Sequence, residues 1–261
     1  MEHSQNIILP LEVLLLIARL LEPWDLINLA IAIPGIERQY KPKYWAAIRD
    51  SEGNTALHIC AANQLDNITV SLTEKTFDLH TTNHIGYTAL HSACKNGHAS
   101  SARLLLGAGI DPNIPALGGT TALQLAVSHG DLATIQLLID RGADTSVETS
   151  GGYTALHWAV DARNCQVAAL LVSSGARVDQ PDDLGRTPLH CAAWQGDHAT
   201  LEILLEAGAN PRSRDHDGYT PANLAGQAGF EEIVNRLSVW ADSGFVDILR
   251  RIAHQLCSIH K

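Results

Sequence analysis

Four histidines, His58, His91, His157 and His190, recur in the contexts Thr-Ala-Leu-His and Thr-Pro-Leu-His, and a line of imidazoles is a candidate for metal ligation or acid–base chemistry. The slot itself argues for a structural role. Two further copies carry Gln124 and Asn223 there, which share with imidazole the capacity to hydrogen-bond. Five cysteines (Cys60, Cys94, Cys165, Cys191, Cys257) show no C-x-x-C spacing, so buried thiols in a reducing compartment are expected rather than disulfides or zinc. The chain holds no G-x-S-x-G, no phosphate-binding glycine loop and no H-E-x-x-H. No catalytic residue, metal site or cofactor is therefore expected, and the chain does not read as an enzyme.

Charge narrows the partners. With 18 Lys and Arg against 28 Asp and Glu, the net charge of −10 opposes nucleic acid, whose binding depends on neutralising phosphates. The apolar stretch Ile7–Leu21 lacks a preceding basic residue and is interrupted by Pro10, Glu12 and Arg19, so it reads as an amphipathic helix rather than a signal or membrane segment. A soluble protein of the cytoplasm or nucleus, monomeric outside any complex, is the expectation.

The elements that position these residues repeat. Aligning Thr55, Thr88, Thr121, Thr154, Thr187 and Thr220 gives intervals of 33 residues throughout. Each threonine suits a helix N-cap, and Pro188 and Pro221 follow at the first helical position. A leucine comes next (Leu57, Leu90, Leu123, Leu156, Leu189). A glycine nine residues after the threonine (Gly97, Gly130, Gly196, Gly229) turns the chain into a second helix with apolar runs such as Leu104-Leu105-Leu106. Gly109, Gly142, Gly175 and Gly208 suit the left-handed residue that ends it. This period with T-P-L-H resembles the ankyrin repeat. The fold class expected is all-α, an ankyrin-repeat solenoid of helix-turn-helix repeats with short β-hairpin loops. Six repeats span 50–82, 83–115, 116–148, 149–181, 182–214 and 215–241, with the first and last degenerate. Phe245, Ile248, Leu249, Ile252 and Leu256 mark one face of a C-terminal capping helix within 242–261.

Residues 1–49 stand outside the register. Val13, Leu14, Ile17, Leu20 and Leu21 recur at helical spacing, Glu22-Pro23-Trp24 breaks that helix, and Asp25 caps a second one that Pro34-Gly35 ends. The pattern Leu9-Pro10-x-Glu12-Val13-Leu14, then Ile17, Leu21, Asp25-Leu26, Leu29 and Trp45, resembles the F-box. That resemblance implies docking on the Skp-type linker subunit of a cullin–RING ubiquitin ligase through Leu9, Pro10, Glu12, Val13, Ile17, Leu21 and Leu26. F-box units placed before ankyrin arrays resemble proteins of filamentous fungi, with a smaller set among bacterial effectors. A plain helical cap over the apolar end of the stack is the alternative.

In ankyrin arrays the contact positions lie just before the capping threonine, seven or eight residues after it, and at the loop tips. Here the resemblance places Tyr87, Tyr153, Arg186 and Tyr219 in the first set, and Lys95, His129, Asp161, Trp194 and Gln195 in the second. Leu184 is a tip residue, and Trp158 lies on the same helices. The chain has only five Tyr and five Trp, and five of these ten fall on this face. Tyr, Trp and Arg are the residue types enriched at binding hot spots. The expected function is a protein–protein interaction module, a substrate-recognition adaptor of the ligase whose ankyrin face holds an unidentified target protein. A scaffold or inhibitor without a ligase link, and a small-molecule-binding or biosynthetic groove, are the alternatives; a deep enclosed pocket around Trp158 and Trp194 would favour the last.

Overall fold

The computed structural model describes residues 24–25, 27–28, 49–73 and 78–241. The linker-docking residues Leu9, Pro10, Glu12, Val13, Ile17, Leu21 and Leu26, and the helix expected within 242–261, lie outside the described residues.

Each 33-residue block folds as two short antiparallel helices because its polar and apolar positions are set by one capping device and one apolar stripe. The helices are α1 (Ala56–Ala62), α2 (Asp66–Thr73), α3 (Ala89–Lys95), α4 (Ala99–Gly107), α5 (Ala122–His129), α6 (Leu132–Asp140), α7 (Ala155–Asp161), α8 (Cys165–Ser173), α9 (Pro188–Gln195), α10 (His198–Glu206) and α11 (Pro221–Gln227). Residues 231–241 are also helical. Helices this short are marginal in isolation, so their stability comes from packing. The chain divides after Ala143 into two compact units. In the first, α1, α3 and α5 pack in succession and α2, α4 and α6 form a parallel row behind them; in the second, α7, α9 and α11 pack likewise, with α8 against α10.

The same buried leucine position recurs in every block. Leu72, Leu105, Leu138, Leu171, Leu204 and Leu237 recur at the period and are each at most 1% exposed. The first block therefore keeps its essential core residue although Ser71 and Thr73 flank it. Leu57, Leu90, Leu123, Leu156 and Leu189 supply a second such position and are at most 3% exposed.

The histidine slot closes each helix start. The Thr55, Thr88, Thr154 and Thr187 backbone N–H groups donate to Nδ1 of His58, His91, His157 and His190 at 3.1–3.3 Å. Gln124 and Asn223 accept the same bond from Thr121 at 2.8 Å and Thr220 at 2.9 Å. A backbone N–H can only donate, so Nδ1 is the acceptor and the ring proton sits on Nε2. Nε2 then donates to a carbonyl 29 residues on, at Tyr87, Thr120, Arg186 and Tyr219 respectively. The four imidazoles are structural pins between consecutive blocks.

The loop tips form turns rather than strands; among the described residues the one β-bridge is Arg49 with Thr55. Each tip is closed by a backbone bond such as Asp182 N–H to the Arg186 carbonyl at 2.8 Å. In four of the six blocks an Asx carboxyl or amide then caps it from inside. Oδ1 of Asp182 accepts from Leu184 and Arg186 N–H at 2.9 and 2.8 Å, and Asp50, Asn83 and Asp215 do the same in their blocks. Among the described residues, no helix is long and apolar enough to cross a membrane.

Candidate recognition groove

In the second unit, the C-terminal ends of α7 and α9 and the tips at 182–186 and 215–219 enclose a groove of about 380 Å³ that opens to solvent. The capping threonines aim the residue before them and the residues seven and eight after them at this space. Tyr153, Asp161, Leu184, Arg186, Trp194, Gln195 and Tyr219 all line it. Leu184 is 57%, Trp194 52% and Tyr219 42% exposed, so three large apolar groups stand around one concavity.

Polar contacts fix the groove wall. The Arg186 guanidinium meets the Asp182 carboxylate at 2.8 Å, and the Asp182 side chain is 1% exposed. Nη2 of Arg186 also donates to the Tyr153 hydroxyl at 3.1 Å. The hydrogen bonds from Arg186 and its neighbours hold the Asp182 carboxyl below the ordinary carboxylate range against the opposing effect of burial. Gln195 Nε2 donates to Asp161 Oδ1 at 3.0 Å, and the Gln195 carbonyl accepts from Arg163 Nη2 at 2.6 Å. Partial burial pushes the Asp161 carboxyl upward. Cys191 also lines the groove, but burial pushes its thiol up to about 12, so it is a neutral wall group rather than a nucleophile.

The remaining candidates sit elsewhere. Trp158 is half-buried on α7, its Nε1 is buried without a hydrogen-bond partner, and it does not line the groove. Tyr87, Lys95 and His129 belong to the first unit. There the Tyr87 ring stacks on His91 with centroids 5.3 Å apart, and Lys95 Nζ lies 5.6 Å from the Tyr87 centroid. The exposed His129 ring covers Gly97, where a Cβ would overlap it. The sequence reading missed the tip residues Asp215, His216 and Asp217, together with Leu224 and Gln227. An Asx five residues before the threonine, present as Asp50, Asn83, Asp182 and Asp215, was the available signal. No group of three or more His, Cys, Asp or Glu among the described residues could hold a metal ion.

No curated protein matches the chain. The family model described as "Ankyrin repeats (3 copies)" matches it over residues 25–116, 114–182 and 178–247. With the threonine and leucine columns, the histidine pins and the stacked helix pairs, that match covers most of the sequence: the chain belongs to the ankyrin-repeat family.

Proposed function

We propose that the second unit's groove is the recognition surface of a protein–protein interaction module. The observation that carries this reading is the convergence of Leu184, Trp194 and Tyr219, all largely exposed, around one open concavity. Large apolar groups kept in water at one place mark an interaction surface. The open form, and the absence of Trp158 from the lining, speak against a small-molecule site.

The finer reading is an adaptor in which residues 1–49 bind the Skp-type linker of a cullin–RING ligase while the groove presents a target. Its support is the sequence pattern Leu9-Pro10-x-Glu12-Val13 with Ile17, Leu21 and Leu26. Such an adaptor acts by proximity, since the ligase partners carry the thioester. A specific observation favours the competing cap reading. The ankyrin match begins at residue 25, Ile27 is fully buried, and Trp24 shares a cavity with Asp50, Asn54 and His58 of the first block and Ser92 of the second. Co-precipitation with purified Skp-type linker decides between them. The adaptor predicts binding by the full chain that Leu9→Ala with Pro10→Ala abolishes at unchanged helical content. No binding by the unaltered chain rules the adaptor out and leaves the groove reading untouched.

A further inference from the structure

The groove's charge is not what its apolar rim suggests. Its lining carries three carboxylates, Asp161, Asp215 and Asp217, against the single permanent cation Arg186. That cation is already committed, because Asp182 and the Tyr153 hydroxyl take its donors. His190 adds no positive charge, since its Nδ1 accepts from Thr187 and burial lowers its pKa.

One reachable carboxylate is left under-used. Asp161 is exposed and receives only the Gln195 amide, through Oδ1. The missing chemistry is a multidentate cationic donor. Guanidinium fits better than ammonium: it has several in-plane donors for the two oxygens of a carboxylate, and its flat face stacks on exposed Trp194 or Tyr219. Its methylene stem would cover Leu184. A free small cation would leave those rim side chains in water, and nucleic acid or an anionic lipid surface would meet carboxylates.

Building on the reading of this groove as a protein-binding surface, we propose that it receives an arginine-bearing segment of a partner protein. The guanidinium pairs with Asp161, and apolar neighbours on the segment lie against Leu184, Trp194 and Tyr219.

The test uses the full chain and pools of fluorescent nine-residue peptides with random flanks and a fixed centre of arginine, citrulline, lysine, glutamate or leucine. Citrulline keeps the shape of arginine and removes its charge. The arginine pool is expected to bind at least tenfold more tightly than the citrulline and glutamate pools. Asp161→Asn should weaken that binding about tenfold, while Asp140→Asn, which removes the same charge from the first unit, should leave it unchanged. Equal binding of the arginine and citrulline pools overturns the proposal, as does an Asp161→Asn variant of unaltered affinity. If leucine or glutamate pools bind best and Trp194→Ala abolishes that binding, the recognition groove stands and its arginine chemistry falls. If no pool binds, both fall.

Discussion

A single proton position decides what the four buried histidines do. Because Thr88 N–H donates to Nδ1 of His91, protonating that nitrogen sets two donors against each other, and burial lowers the ring's pKa to about 4. His58, His157 and His190 are lowered by the same cause. The sign follows from linkage: between about pH 6.5 and 4 the unfolded chain takes up protons that the folded chain refuses. Stability is therefore full above pH 6.5 and falls as pH drops, by roughly 3 kcal/mol from His91 alone near pH 4. Thermal melts across that range should show the loss, and His91→Gln, the side chain present at Gln124, should make the slope shallower. An unchanged slope would exclude the histidine mechanism. A second residue-scale case is Arg163, which holds the left-handed φ of 51° at the register where Gly97, Gly130, Gly196 and Gly229 sit. A non-glycine residue there costs about 1 kcal/mol. Arg163→Ala keeps that strain and loses the bond to the Gln195 carbonyl, so it should melt lower than Arg163→Gly, which relieves the strain.

The loop tip is the element that carries function, and it tolerates little change. Gly185 has φ 78°, and a Cβ there would lie 2.8 Å from the His216 backbone nitrogen. His216 N–H donates to the Leu184 carbonyl at 2.9 Å, tying one tip to the next. Gly185→Ala should cost about 2 kcal/mol by denaturant melt and weaken partner binding beyond that, because it displaces Leu184 and the Asp215–Tyr219 tip together. A loss of stability with intact binding would show that the tips are not the contact surface. The tips also mark where sequence reasoning stopped. The helices were legible because threonine, leucine and glycine recur at a fixed period, and each fills a role that few other residues can. The groove was half legible: Leu184, Trp194, Gln195 and Tyr219 follow from the register once the ankyrin family's contact positions are laid on it. Whether Arg186 is free depends on Asp182 four residues before it and Tyr153 a full block away, and a linear pattern holds neither distance. Asp182 and Asp215 hold backbone N–H groups of their own tips, a role that shows only once the tips are folded. Trp158 misses the groove although Asp161, three residues later on the same helix, lines it, a difference that only packing decides.

At the scale of the whole chain, a repeat array lacks one shared core, since each block contacts its neighbours and stability sums over blocks and interfaces. The leucine column makes this testable, because Leu105 in the first unit and Leu171 in the second occupy the same register and are both fully buried. Leu→Ala at either should cost about 2–5 kcal/mol locally. Native-state hydrogen exchange should then place the loss of protection chiefly in the unit that carries the substitution: α3 to α6 for Leu105→Ala, α7 to α10 for Leu171→Ala. Equal loss throughout the chain from either variant would mean that it unfolds as one cooperative body. The outcome bears on recognition, because the groove is built within residues 153–227. If protection is local, Leu171→Ala weakens partner binding while Leu105→Ala spares it at equal cost in stability, and the binding measurement becomes a second, independent readout of where cooperativity ends.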